Sequence, residues 1–202
     1  MHVPGPLSAG RCPVDDRYLR PGLTQKGGAG FVVAEPHVDE GAPMAWSPQP
    51  NSRMCFVCGL QNPAGLRVRF YEDGMTTVRA EVVIPEVYQG YPGVAHGGVV
   101  AALLDEAAGR ALMIGAPERF MVTAQLKVRY HHPVPTGQPL LLIAHPLRIG
   151  SRLAQARAEL RRLDGTLCAE AEAVLANVPP EIQATFDAER PFWRVYPGEE
   201  QS

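Results

Sequence analysis

A single stretch of this chain, Gly98–Ile114, reads as a long helix: it is rich in Ala and Leu and contains no Pro. The other periodic segments alternate apolar and polar residues with the period of a strand. Leu66–Glu72 (LRVRFYE) and Thr76–Ile84 (TTVRAEVVI) flank the turn Glu72-Asp73-Gly74 and read as a hairpin. After the helix come Met121–Tyr130, Leu140–Leu147, Arg152–Leu163 and Leu167–Val178; Asp164-Gly165 joins the last two, and Pro179-Pro180 stops the last. One helix among strands joined by tight turns predicts an α+β fold built on an antiparallel sheet. A lone sheet covered by one helix leaves apolar surface in water, so the pattern also predicts pairing of two chains.

With 202 residues there is room for one domain and its tails. Eight prolines from Pro4 to Pro50, with Gly27, Gly28 and Gly30, interrupt residues 1–52, which predicts a disordered or extended tail. The folded domain is placed at 53–180. Residues 181–202 form a C-terminal tail, whose Phe192, Trp193 and Tyr196 suit a short segment packed on the surface or on a partner. A net charge of −2 offers no global field to attract nucleic acid. No apolar run nears the ~20 residues of a membrane span, and the first residues lack the pattern of a secretory signal. Four cysteines are too sparse for a disulfide framework. A soluble protein of the reducing cytoplasm is the expectation.

The segment richest in chemistry is Tyr88-Gln-Gly-Tyr-Pro-Gly-Val-Ala-His-Gly-Gly-Val-Val-Ala-Ala-Leu-Leu-Asp105. A Gly-rich loop runs into the helix, and Gly97 and Gly98 sit at its first turn. The first N–H groups of a helix lack internal partners and, with the helix dipole, suit an oxygen that carries negative charge. Asp105 lies about two turns further along, among Ala101, Ala102, Ala108 and Gly109. That strip of small residues suggests that something lies close against the helix. Glu106, four residues before Arg110, is read as an ordinary surface ion pair. Spacing alone supports a candidate oxyanion site with a nearby acid.

GVAHGGVVAALLDEAAG resembles the His-Gly-Gly helix of PaaI-like hotdog thioesterases, in which the catalytic acid follows the His by nine positions, as Asp105 follows His96. YQGYPGVAHGG and CFVCGLQNPAGL (Cys55–Leu66) resemble the branch that includes the THEM-like acyl-CoA thioesterases. The resemblance covers roughly Met54–Pro179. It implies the hotdog fold, an antiparallel sheet wrapped around one long central helix, in a homodimer or a tetramer of paired dimers. It implies hydrolysis of an acyl-CoA to free acid and CoA. The Gly97 amide, aided by Gly98, would polarise the thioester carbonyl, and His96 would orient the loop. Asp105 of the opposite protomer would activate water or attack directly, and Thr123 would hold the water. Many members carry Asn or Gln six positions before the His; here that position is Gly90, and Gln89, one place earlier, is the substrate-binding candidate.

CoA carries phosphates, so cations should rim the site. Arg148 and Arg152, flanking a turn, are the chosen candidates among several strand cations that read as a solvated face. Tyr88, Tyr91, Pro92 and Met113 suggest an apolar acyl pocket. Cys55 and Cys58 form one CxxC, but the second ligand pair of a structural zinc site is missing from the sequence. CFVCG therefore reads as a buried turn, and neither metal nor cofactor is expected. The competing function is an acyl-CoA sensor or carrier that binds without hydrolysis. A hotdog hydratase would need a different Asp/His pair.

Overall fold

A computed structural model describes residues 46–197. The N-terminal tail expected before residue 46, with Cys12, and the last five residues lie outside the described residues. Eleven regular elements follow: β1 (Ser47–Pro48), β2 (Tyr71–Glu72), β3 (Val78–Val83), β4 (Gln89–Tyr91), β5 (Val94–Ala95), α1 (Gly97–Ala111), β6 (Met121–Tyr130), β7 (Pro139–Ile149), β8 (Leu153–Arg162), β9 (Leu167–Asn177) and α2 (Gln183–Glu189). Seven strands form one sheet in the order β1-β2-β3-β7-β8-β9-β6, antiparallel throughout. α1 lies across one face of it, the hotdog arrangement.

The alternation legible in the sequence produces this layering. In β8, Ala154, Ala156, Ala158 and Leu160 are buried while the residues between them are not. β9 adds Ala169, Ala171, Ala173 and Leu175 to the same core, and β7 adds Leu140, Leu142 and Ala144. α1 answers with Val100, Leu103, Leu104, Ala107, Ala108 and Ala111. The facing alanines let helix and sheet backbones approach closely, and each fully buried Leu contributes roughly 1.5–3 kcal/mol. The opposite face carries charge: Glu170 meets Arg157 at 2.6 Å and His131 at 3.0 Å, and Arg161 meets Glu159 at 2.6 Å. Those cations form the solvated face that the alternation predicts.

Three features differ from the sequence reading. Residues 46–52, assigned to the tail, enter the domain: Ser47–Pro48 pair with Tyr71–Glu72, and Gln49 and Asn51 are buried. Leu66–Glu72 is laddered only at Tyr71–Glu72, because Phe56, Val57 and Gln49 take up the backbone bonds of Leu66, Val68 and Phe70. Two short strands, β4 and β5, lie in the Gly-rich loop. The C-terminal segment, by contrast, packs on the domain surface, as its aromatic residues suit it to do: Trp193 donates to the Pro117 carbonyl and stacks edge-on against Phe120. Among the described residues no helix is long and apolar enough to cross a membrane.

Candidate active site

The start of α1 is held from both sides. The Ala95 amide donates to the Val134 carbonyl and the His96 amide to the Tyr88 carbonyl, which fixes the loop just before the helix. His96 is the N-cap, with extended backbone, and its Nδ1 accepts the Gly98 N–H at 3.0 Å. The Val99 and Val100 amides both turn back to the His96 carbonyl. Among the described residues, the Gly97 amide alone in this first turn has no acceptor within the chain. The sequence reading paired Gly98 with Gly97 as a donor; the geometry corrects this, because the His96 ring occupies the Gly98 N–H. With Nδ1 accepting, the neutral ring carries its proton on Nε2. That N–H has no acceptor among the described residues.

Gly90 explains the departure from the family pattern. A Cβ there would come within 3.3 Å of the His96 Cα, so β4 lies directly on the His that caps the helix. Gln89 turns inward along its own hairpin, and its Oε1 accepts the Gly93 N–H at 3.3 Å.

Asp105 occupies the other half of α1 and is partly buried. The Thr123 hydroxyl donates to its Oδ1 at 2.7 Å. Burial raises the Asp105 carboxyl above its ordinary range; the Thr123 bond pulls it back and neighbouring Glu106 pushes it further up, with a net upward shift. Thr123 reaches Asp105 through an irregularity in β6, whose pairing with β9 slips between Thr123 and Gln125. Beyond the slip, Leu126 and Val128 face the core, and Tyr130 donates to the Gly97 carbonyl at 2.7 Å. Regular alternation from these even-numbered residues would turn Thr123 away; the bulge re-aims it. Periodicity could not find that contact, since a bulge breaks the period by which a face is assigned.

Gly97 and Asp105 are eight residues apart on one helix, about 12 Å at 1.5 Å per residue. Within one chain they cannot both reach a carbonyl group. Arg148 and Arg152 are exposed on the β7–β8 hairpin. The register Thr123–Leu175–Ala154 places that hairpin at the Thr123 end of the sheet. Met113 follows the far end of α1 in a cavity with Phe120 and Met121, away from Tyr88 and Tyr91, so one chain does not gather the four into an acyl pocket. The strip of small residues has a plainer use than the one expected from sequence: Ala108 is fully buried and Gly109 rests against Leu175, so what lies close to the helix there is the chain's own sheet.

The Glu106–Arg110 pair is not on the surface. The Arg110 side chain is 1% exposed and that of Glu106 is 21% exposed; Nε and Oε1 are 2.9 Å apart. Burial opposes ionisation of Glu106, but Arg110 holds its carboxyl below the ordinary range.

Comparison with known proteins bears on the family and the fold. The family model described as the thioesterase superfamily matches residues 92–169, a span that contains His96, Gly97, Asp105 and Thr123. Acyl-coenzyme A thioesterase 13 of Mus musculus is 32% identical over 94 residues, 45% of this chain and 65% of that protein. A Caenorhabditis elegans protein whose name calls it an esterase is 33% identical over 100 residues, 49% of this chain and 59% of its own. The chain thus spans less than two thirds of either relative. The crystal structure of a thioesterase superfamily protein aligns with 62% of this chain and 61% of its own, at 33% identity and a TM-score of 0.55. Zebra fish thioesterase superfamily member 2 aligns with 58% of this chain and 89% of its own, at 25% identity and a TM-score of 0.50.

Proposed function

We propose that this chain, which belongs to the thioesterase superfamily, hydrolyses an acyl-CoA thioester in a site shared by two copies of itself. The observation that carries the reading is the free Gly97 amide at the start of α1, set about 12 Å along the same helix from a partly buried carboxylate. Each half is suited to thioester hydrolysis and neither is complete alone. The Gly97 N–H, with that of His96 Nε2, stabilises the charge that builds on the carbonyl oxygen. Asp105 of the second copy takes a proton from water as it attacks the carbonyl carbon, or attacks that carbon itself. The C–S bond then breaks and the CoA sulfur leaves as a thiolate that takes up a proton; where Asp105 attacks, the mixed anhydride it forms is hydrolysed by water to the free acid and the carboxylate. Thr123 donates to Asp105, and the lone pairs of its hydroxyl are left to hold the attacking water.

β6 offers the route to pairing. It is an edge strand of ten residues, the last in the sheet, and its outer side has no partner among the described residues. Pairing there brings two chains together beside Thr123 and Tyr130, the two residues that grip the halves of the site. The name of the mouse relative supplies the substrate class. Arg148 and Arg152, exposed at the Asp105 end, are suited to CoA phosphates. Gln89, held within its hairpin, would shape the site entrance.

The test is a panel of aliphatic and aromatic acyl-CoAs with detection of free thiol. Thiol release from any member, lost in Asp105→Asn, supports hydrolysis. Saturable binding without thiol release overturns it in favour of a sensor or carrier.

A further inference from the structure

The CxxC segment lies outside the residues matched by the family model, and its geometry is more specific than that of a buried turn. The Val57 and Cys58 amides both point at Cys55 Sγ, at 3.3 and 3.5 Å, and the Gly59 amide returns to the Cys55 carbonyl. A Cβ at Gly59 would collide with the Cys55 backbone, so only glycine closes this loop. Two amide donors on one sulfur favour the thiolate over the thiol. The third member comes from α1. Glu106 Oε2 lies 3.4 Å from Cys55 Sγ, and the ligand atoms of Cys55, Cys58 and Glu106 lie within 4.8 Å of one another.

We propose that Cys55, Cys58 and Glu106 form a binding site for a thiophilic divalent cation of the zinc class. Tetrahedral zinc with a sulfur at ~2.3 Å and a carboxylate oxygen at ~2.0 Å places those two atoms about 3.5 Å apart, close to the separation seen. The carboxylate is already oriented: Oε1 is bound by Arg110 at 2.9 Å, which leaves Oε2 for the cation. Charge also balances, because two thiolates and a carboxylate face a divalent cation and the Arg110 guanidinium. Binding releases the two thiol protons and so strengthens as pH rises. The three ligands help line a largely apolar cavity of about 380 Å³, together with Phe186 and Trp193, which leaves room for an entering cation and its fourth ligand. The sequence reading looked for a second Cys or His pair, but the third ligand sits 48 residues beyond Cys58, on a helix face read as surface. Bound there, the cation ties the 46–60 segment to α1 beside Asp105, whether or not the chain hydrolyses thioesters.

The full-length chain, purified under reducing conditions and stripped with a chelator, would be titrated with Co²⁺ alone. The expected result is a single Co²⁺ per chain with a thiolate-to-cobalt charge-transfer band, displaced by Zn²⁺. Cys55→Ser and Cys58→Ser each cut the band at saturation to about half and weaken binding at least ~10-fold, the double variant removes the band, and Cys168→Ser, at a buried site elsewhere, leaves both band and binding intact. In case a variant fails to fold, protection of wild-type Cys55 and Cys58 from alkylation by Zn²⁺, read by peptide mass spectrometry, gives the same answer. A titration without the band, a band undiminished in Cys55→Ser or present in the double variant, equal labelling with and without Zn²⁺, or a native Cys55–Cys58 disulfide would each overturn the proposal.

Discussion

Thr123 Oγ1 donates a 2.7 Å hydrogen bond to Asp105 Oδ1, across the gap between an edge strand and the helix it flanks. The bond exists because a bulge turns Thr123 toward the helix. It opposes the effect of burial: burial raises the Asp105 carboxyl, and the hydroxyl stabilises its ionised form. An acid meant to accept a proton needs both effects, one to make it basic and one to keep it charged.

Thr123→Val removes the second effect and keeps the shape. With the hydroxyl gone the carboxyl rises further, so the acid limb of the kcat/KM profile against pH should move to higher pH. Activity well above that limb should fall by less than tenfold. Rate profiles of the two proteins on one acyl-CoA check this, and a limb that stays put would separate Thr123 from Asp105.

Asp105→Asn should reduce hydrolysis by ~10²–10⁴, the range for loss of a general base, while the fold persists. The sign of the stability change is fixed by linkage. The folded-state pKa is raised, so ionisation of Asp105 opposes folding once pH exceeds the ordinary carboxylate value. The neutral variant should therefore melt slightly higher than wild type at neutral pH, with the difference shrinking as pH falls through the raised folded-state value and gone below the unfolded-state one. Melting curves at several pH values show whether it does.

The architecture was legible because alternation and the single helix each answer to one physical cause, burial of one face. Strand pairs β7–β8 and β8–β9 lie within a residue or two of their expected places. His96, Gly97 and Asp105 stand out in the sequence through a motif. The paths of Thr123 and Glu106 do not. Thr123 depends on a bulge, and Glu106 on a loop from residues 46–60 that folds over a helix face which, by spacing to Arg110, looked solvated.

Glu106→Gln should lower stability strongly. Arg110 would keep its charge at 1% exposure with its partner neutral, and breaking such a pair costs roughly 3–5 kcal/mol. Arg110 holds the Glu106 carboxyl below its ordinary range against the opposing effect of burial. The pair's contribution is thus present above the unfolded-state value and lost as pH falls through the folded one. Urea melts of the variant at neutral pH measure the cost.

Truncation separates the two readings of the N-terminal boundary. A chain beginning at residue 53 loses Gln49, which donates to the Arg110 carbonyl, and Asn51, which donates to the Cys58 and Val68 carbonyls. The Arg110 carbonyl keeps the Met113 N–H, but the Cys58 and Val68 carbonyls would be left unpaired in the interior, at about 1–3 kcal/mol each. It should melt well below a chain beginning at residue 46, a comparison that calorimetry makes directly.

Gly97→Pro tests the shared site through one missing hydrogen. Gly97 is the first helical residue and His96 before it is extended, at φ −62° and ψ 135°, a backbone that accepts Pro at the next position. The substitution removes the free amide and should cost ~10²–10³ in rate, as loss of an oxyanion donor does. Gly97→Ala, which keeps the N–H and adds a Cβ about 3.4 Å from the Tyr130 hydroxyl, should cost far less. Mixing inactive Gly97→Pro and Asp105→Asn chains and letting them exchange then produces mixed dimers in which one site unites an intact Gly97 with an intact Asp105. In a two-fold dimer with random exchange, recovery should reach about a quarter of wild-type turnover. If the two residues served the same chain, no mixture would regain activity, since every chain in it carries a defect.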